Sequence, residues 1–391
     1  MMPQIMRKIA IDCRFTGSNS GLGQYTRELV THLLMRKEAV EHQNTATEKS
    51  NFSSIRGNMR NPAPNANSPI NEKSMHFGAR VKYTIIARSA SEPWLKNLQG
   101  DPEIIIADIP HYSLAEQTRI PKLLKKSKVD LLFSPHFNVP FRLNIPFVVT
   151  IHDLILHRFP NQASPFKQFV YRRIINSAVK RARHIITISD FVKRELIDVY
   201  GDPIRSKITR IYEGVDSRFT PAAQEEIEKV LKKFSLLKPF FLYIGNAKQH
   251  KNVQVLIDAF AALNQPDREL VLVTGGKEAG NLRPVEGVRI ISDVEDADLP
   301  PLYSSALAFV TASLYEGFCL PVAEAESCGC KVIASSRGAI PEVAGDNAAL
   351  VDADTESIRS AMEEVEFMGT PKPKNFSWEQ AAKETATILL S

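Results

Sequence analysis

Two glutamates, Glu316 and Glu324, stand eight residues apart in the string Leu314-Tyr315-Glu316-Gly317-Phe318-Cys319-Leu320-Pro321-Val322-Ala323-Glu324. The apolar run Ala306-Leu307-Ala308-Phe309-Val310 before it reads as a strand. Pro321 suits the first position of a helix, where its missing N–H would have no intrahelical partner. Glu316 is therefore expected in a strand-to-helix loop, and Glu324 about one turn into the helix. Between them the open N–H groups of a helix start face outward, and such an end attracts phosphate. A carboxylate accepts hydrogen bonds from sugar or ribose hydroxyls. Together these parts suit a nucleotide sugar, with hydroxyls at both ends and two phosphates between. Taken singly, a glutamate near a helix start is explained by the helix dipole alone.

The whole string resembles the E-x7-E motif of retaining GT-B glycosyltransferases, the large family four (group 1), of the bacterial exopolysaccharide and lipopolysaccharide type. The resemblance extends over nearly the whole chain outside Glu41 to Arg80, with its most specific motifs in the C-terminal half. It implies an α/β fold of GT-B type: two doubly wound Rossmann-like domains facing a cleft, with a C-terminal helix crossing back. It also implies a metal-independent hexosyltransferase that retains configuration at the anomeric carbon. In that scheme Glu316 grips sugar hydroxyls beside the reacting carbon and Glu324 grips the ribose. The backbone of Gly317, Phe318, Cys319 and Leu320 receives the departing diphosphate.

A second string, Tyr243-Ile244-Gly245-Asn246-Ala247-Lys248-Gln249-His250-Lys251-Asn252, follows one strand pattern and precedes a helical one. A lysine near a helix start is disfavoured by the dipole, so Lys251 needs a reason to be there. The string resembles the family loop whose cations hold the donor diphosphate, and Lys251 aligns with the family lysine. The family's commoner arginine position is Asn246 here. Either Lys248 supplies the second cation, or Asn246 gives only a hydrogen bond.

Three further segments complete the expected site. Gly17-Ser18-Asn19-Ser20-Gly21-Leu22-Gly23 follows the first strand and resembles the family's glycine loop, with Gly21, Leu22 and Gly23 beside the donor. It is not a dinucleotide fingerprint, because Thr26 occupies the third glycine place. His152, at a strand's end, corresponds to the family histidine near the transferred sugar, and Asp153 reads as a cap for the next segment of chain. Thr274 and Gly275, then Asp293 and Val294, fall where the family contacts the nucleotide. Backbone readout there erases any side-chain signature, so uridine and guanosine donors look alike.

These residues need a scaffold that delivers them from strand ends. Strand patterns cover Lys8 to Cys13, Val81 to Ala87, Val129 to Ser134, Phe147 to Ile151 and His184 to Ile188, with a helix at Gly23 to Arg36. The pattern restarts with strands at Phe240 to Gly245, Glu269 to Thr274, Val288 to Ile291, Leu307 to Thr311 and Lys331 to Ala334, and a helix at Val253 to Leu263. Alternation of this kind predicts parallel sheets covered by helices. The expected seam lies between Tyr212 and Pro239. The expected domains are residues 1–215 on the acceptor side, 216–375 for the nucleotide sugar, and a returning helix at 376–391 begun by Ser377. Glu41 to Arg80, rich in Asn, Ser, Pro and charge, is expected to be a mobile insertion within the first.

The 391 residues carry a formal net charge of +5 and are 43% hydrophobic, with a pI near 8.9. That mild basicity favours anionic ligands and is no nucleic-acid signature. Four cysteines without paired spacing, Cys13, Cys319, Cys328 and Cys330, suggest free thiols in a reducing compartment. No signal-peptide core and no run of about twenty apolar residues is present. The expected location is the cytoplasm, with contact at the inner face of the membrane left open. Leu154 to Ser189 contains no Asp or Glu. A helix from Pro165 to Arg183, with Phe166, Phe169, Val170 and Ile174 on one face, would either touch anionic lipid or pack in the core with a solvated basic back. Asn51-Phe52-Ser53 reads as a chance sequon. Asp296-Ala297-Asp298 and Asp352-Ala353-Asp354 read as surface or helix-start acids, so no metal is expected, and no cofactor.

The expected donor is UDP-glucose or a close UDP-hexose, with GDP-mannose as the alternative. The expected acceptor is a growing polysaccharide or lipid-linked sugar. A phosphorylase of similar fold would need a lysine carrying pyridoxal phosphate, for which no distinctive motif is evident. A non-catalytic sugar-nucleotide sensor or scaffold would not need Glu316, Glu324 and Lys251 intact.

Overall fold

The computed structural model describes residues 7–17, 21–36 and 81–391. The insertion read at Glu41 to Arg80, the sequon at Asn51, and Ser18 to Ser20 of the glycine loop lie outside the described residues. The chain divides into two compact units. One comprises the described residues up to Val148 together with Ala382–Ser391, and the other is Val149–Ala381.

Thirteen strands are described: β1 (Arg7–Asp12), β2 (Val81–Ala87), β3 (Glu103–Ile106), β4 (Leu131–Ser134), β5 (Phe147–Ile151), β6 (His184–Thr187), β7 (Ile208–Arg210), β8 (Phe240–Ile244), β9 (Glu269–Val273), β10 (Val288–Ile291), β11 (Ala308–Thr311), β12 (Val332–Ser335) and β13 (Ala349–Val351). The helices are α1 (21–36), α2 (Leu114–Lys126), α3 (Ile155–Arg158), α4 (Pro165–Arg181), α5 (Asp190–Tyr200), α6 (Gln224–Phe234), α7 (Val253–Leu263), α8 (Leu299–Ser305), α9 (Leu320–Ser327), α10 (Ile340–Val343), α11 (Thr355–Glu363) and α12 (Trp378–Leu390).

The strands form two sheets, in the orders β3-β2-β1-β4-β5-β6-β7 and β10-β9-β8-β11-β12-β13. Central strands such as β4, β5, β11 and β12 are buried along their whole length, as strands covered on both faces must be. In the second sheet β8 pairs in parallel with β9, Phe241 opposite Leu270, and with β11, Phe241 opposite Ala308. The order runs down from β10 to β8 and then jumps to β11, so the β8–β11 pair is the point where the winding reverses. In open α/β sheets a crevice opens there, beyond the carboxyl ends of the strands. One face of this sheet is covered by α7 and α11. Leu256, Ile257, Phe260, Ile358 and Met362 pack on Phe241, Leu272, Val310 and Ile333, with the α7 residues at the three- and four-residue spacing of a buried helical stripe.

Three expectations change. The first described helix already includes residues 21 to 23, so Gly21, Leu22 and Gly23 form a helical turn and not a loop. Helix α9 begins at Leu320, making Pro321 its second residue, where a missing N–H is equally harmless. Helix α4 ends at Arg181 and buries Tyr171, Ile174, Ile175, Ala178 and Val179. Phe166 and Phe169 are exposed, while Ile174, expected on the same face as them, is buried.

The terminal helix α12 does start where Ser377 caps it: Gln380 N–H donates to Ser377 Oγ at 3.3 Å. Its last part belongs to the unit containing β1, where the Arg7 guanidinium donates to the carbonyl of Leu390 at 2.9 Å.

Candidate functional site

The loops that leave β8 and β11 meet. After β8, Gly245 adopts φ +152°, and a Cβ there would stand 2.9 Å from the Tyr243 hydroxyl. That hydroxyl donates to the Asn246 carbonyl at 2.7 Å, folding the loop back over its own strand. A short turn at 249–251 then presents Lys251, and Asn252, in the left-handed region at φ 55°, leads into α7. After β11, the backbone N–H of Leu314 donates to the His250 carbonyl at 2.7 Å. This bond ties the two loops together directly beside Lys251 and Glu316.

Lys251 Nζ donates to Glu316 Oε1 at 2.6 Å and to Oε2 at 2.8 Å. Both side chains are largely removed from water. Burial alone would push the ammonium's pKa down. The facing carboxylate of Glu316 outweighs it, and the pKa is raised, so the lysine stays charged. Burial, with help from Glu316, also pushes the Tyr243 hydroxyl and the Cys319 thiol well above their usual ranges. Both are neutral neighbours and not nucleophiles.

The backbone around Glu316 is fixed by close approach. Gly338, at φ +64°, leaves room where a Cβ would lie 2.6 Å from Glu316 N and 2.7 Å from its carbonyl oxygen. Ala339 N–H then donates to that oxygen at 3.0 Å. Gly317 sits against the His152 carbonyl, 2.0 Å from where a Cβ would be, and Ser189 Oγ donates to the Gly317 carbonyl at 2.6 Å. Only glycine fits either position without backbone movement.

His152, just beyond β5, has Nδ1 3.4 Å from Glu213 Oε1. Asp153 Oδ1 accepts the Ile155 N–H at 3.0 Å, the capping use expected of it.

Helix α9 opens from Cys319, which occupies the left-handed region at φ 85° without being glycine. Such conformations are sparsely populated and cluster at functional turns. Glu324 follows in the first turns of α9. It is buried, and Tyr303 donates to its Oε2 at 3.2 Å. Burial raises its pKa to about 7, so near neutrality the carboxyl is poised between its two forms.

The profile of the Glycosyl transferases group 1 family matches residues 224–385, and that of Glycosyltransferase Family 4 matches residues 75–219. The chain belongs to the group 1 glycosyltransferases. Among relatives of this glycosyltransferase, O-antigen chain mannosyltransferase B of Escherichia coli is 28% identical over 94% of both chains. O-antigen chain mannosyltransferase RfbU of Salmonella typhimurium is 28% identical over 62% of this chain and 67% of its own. Among solved structures, Anabaena HepE in complex with UDP and glucose aligns with a TM-score of 0.69 at 16% identity, over 98% of this chain and 100% of that one. WaaG, a glycosyltransferase involved in lipopolysaccharide biosynthesis, aligns at 0.61 and 12% identity, over 97% and 95%. The fold is GT-B.

Within this glycosyltransferase, Lys251 and Glu316 are in direct contact. Gly245, Asn246 and Lys248 share the Lys251 loop, with Asn246 Oδ1 accepting the Lys248 N–H at 3.3 Å. Gly317, Phe318, Cys319, Leu320 and Glu324 form the α9 start. Thr274 directly follows the adjacent strand β9, buried, with its Oγ1 unpartnered, and Gly275 beside it has open space around it. Asp293 and Val294 follow β10. Gly21, Leu22 and Gly23 belong to the other unit.

The aspartate pairs are held structurally. Asp298 pairs with Lys233 at 2.7 Å, Asp296 with Arg218 at 3.5 Å and Asp352 with Arg337 at 3.4 Å, and Asp354 caps α11. Reading the sequence missed Glu213, Ser189 and Gly338. Their partners lie far along the chain, and nothing in the local pattern marks them.

Proposed function

We propose that this group 1 glycosyltransferase moves a hexose, with retention, from a nucleotide-diphosphate sugar to a hydroxyl of a growing polysaccharide or lipid-linked glycan. The observation that carries this reading is the charged Lys251–Glu316 pair beside the start of α9, with Glu324 on the same helix. Two of the lysine's three N–H donors are engaged by Glu316, so the third is the one to meet a leaving-group oxygen. As the bond from the anomeric carbon to the diphosphate breaks, its electron pair goes to the phosphate oxygen. Lys251 and the N–H groups at the α9 start oppose that growing charge. Glu316 holds the sugar's hydroxyls, Glu324 the ribose, and His152 approaches the transferred ring. The acceptor hydroxyl attacks from the face the diphosphate leaves, and passes its proton to the departing phosphate oxygen. No step in this scheme uses a metal or cofactor.

For the donor, the relative matched along 94% of both chains is named a mannosyltransferase. That favours GDP-mannose over the UDP-glucose expected from sequence alone. Incubating the enzyme with a panel of nucleotide sugars, and identifying the nucleotide released by slow hydrolysis, tests both levels. Release of GDP from GDP-mannose supports the assignment. Release of UDP alone removes the mannosyl reading. Tight nucleotide binding with neither hydrolysis nor transfer points to a sensor instead.

A further inference from the structure

Helix α4 carries a face that the packing of its own unit does not use. Opposite its buried side, Phe166 is 77% exposed and Phe169 60% exposed. Three residues apart, they share one helical face. The Arg173 guanidinium lies 5.6 Å from the centre of the Phe169 ring. Lys167, Arg172, Arg173, Lys180, Arg181 and Arg183 are all exposed, and no acid interrupts the chain from Leu154 to Ser189. Lys207 adds a further cation at the helix end, donating to the carbonyls of Lys180 and Ala182 at 3.0 and 3.2 Å. Of the three acids of the following helix, Glu195 pairs with Arg158 and Asp190 with Arg210, and Asp198 is the third.

Two exposed rings inside a single-sign field fit poorly with an apolar protein partner, which would have to bury the cations. They fit a bilayer surface, where rings enter the headgroup boundary while long basic side chains keep their charges among phosphates. Single-stranded nucleic acid would call for aromatics interleaved with cations along a groove. Here both rings sit at one end of a convex helix. We propose that α4 docks this protein on an anionic membrane surface, with Phe166 and Phe169 inserted and the basic side chains on lipid phosphates. Among the described residues no helix is long and apolar enough to cross a membrane, so such attachment is peripheral. The proposal does not depend on which sugar is transferred.

Co-sedimentation of the full chain with phosphatidylcholine vesicles, with and without phosphatidylglycerol, tests it. Binding should need the anionic lipid and should weaken as salt is raised. The double variant Phe166→Ser, Phe169→Ser should lower the partition coefficient about tenfold. Arg172→Glu with Arg173→Glu should lower it at least as far, and both should keep the wild-type unfolding midpoint. In Phe169→Trp, indole emission should shift to the blue on anionic vesicles. Wild-type protein that ignores those vesicles overturns the proposal. So does unchanged binding by both double variants, or a patch that captures single-stranded oligonucleotide and not lipid.

Discussion

Lys251 Nζ sits 2.6 and 2.8 Å from the two carboxylate oxygens of Glu316, joining the loop after β8 to the loop after β11. The pair lies at the reversal point of the second sheet, where loops from neighbouring strands diverge to opposite faces. Its two members come from elements 65 residues apart, so the contact depends on the fold and not on local sequence.

Removing one member leaves the other buried without compensation. Lys251→Met or Glu316→Met alone should cost roughly 3 kcal/mol of stability, while the double variant should recover most of that loss. Turnover should fall in all three, by about 10²–10³-fold, because the charge opposite the leaving group or the grip on the sugar is gone. Urea midpoints and initial rates measure the two effects separately. Single variants as stable as the wild type would show that the pair is not desolvated. Wild-type turnover would remove it from the mechanism.

Gly338 should matter to catalysis without touching substrate. Gly338→Ala puts a methyl into space bounded by Glu316 N and carbonyl oxygen, in a left-handed backbone that alanine resists. Glu316 must move, so kcat should drop about tenfold or more, while nucleotide affinity, which the proposed function assigns to Glu324, should stay within about threefold. Gly280→Ala, where no atom lies within 4 Å of the new methyl, is the control and should behave as wild type. Equal effects in both variants would mean that glycine loss in general, and not pressure on Glu316, is being measured.

Glu324 should link nucleotide affinity to pH. Burial raises its pKa to about 7 from an ordinary 4.5. Between those values the folded protein holds a proton that the unfolded chain releases. Its contribution to stability is therefore complete below pH 4.5 and is lost as pH rises through 7. Glu324→Gln should raise the unfolding midpoint at pH 8, by on the order of 2–3 kcal/mol in free energy, and change little at pH 4.5. Nucleotide affinity in the wild type should strengthen as the carboxylate forms above pH 7, and the variant should lose that dependence. Calorimetric titrations with GDP at pH 6 and pH 8 test it. A pH-independent wild type would mean that the carboxyl is ionised throughout.

Most of the second sheet could be read from the chain. β8, β9, β11 and β12 are apolar runs bounded by turn residues, and parallel strands buried on both faces leave that trace, whereas β10 is a partly exposed edge strand read from Val288, Ile290 and Ile291 alone. β3, β7 and β13 escaped because three or four residues, partly exposed, carry too little pattern. Within the candidate site, the strings around Lys251, Glu316 and Glu324 marked a loop, a strand-to-helix turn and a helix start, and the structure places them so, with Lys251 on Glu316. Gly338 and Ser189 were not legible, since each acts through a backbone atom brought near only by folding. The Phe166 face was left open between lipid and core for the opposite reason. Helical spacing groups residues on one side, but says nothing about whether that side meets a core, and α4 packs through Tyr171 and Ile175 instead.

His250 should oppose Glu324 in the same acid range. Its ring is buried, with Nδ1 3.2 Å from Gln162 Oε1, and burial together with the neighbouring Lys251 charge lowers its pKa to about 4 from 6.5. The unfolded chain takes up a proton that the folded protein refuses. Its stabilising effect is whole above pH 6.5 and disappears as pH falls through 4. A shift of this size corresponds to roughly 3 kcal/mol. His250→Gln should flatten acid unfolding across that window, while keeping the backbone bond from Leu314 to the residue 250 carbonyl. Part of the shift comes from Lys251, so Lys251→Met should move the imidazole back toward its ordinary range. Histidine proton NMR across pH 3.5–7 reads that directly. An imidazole that titrates identically with and without the lysine would show that desolvation alone sets it, and that the charge of Lys251 is screened from its own loop.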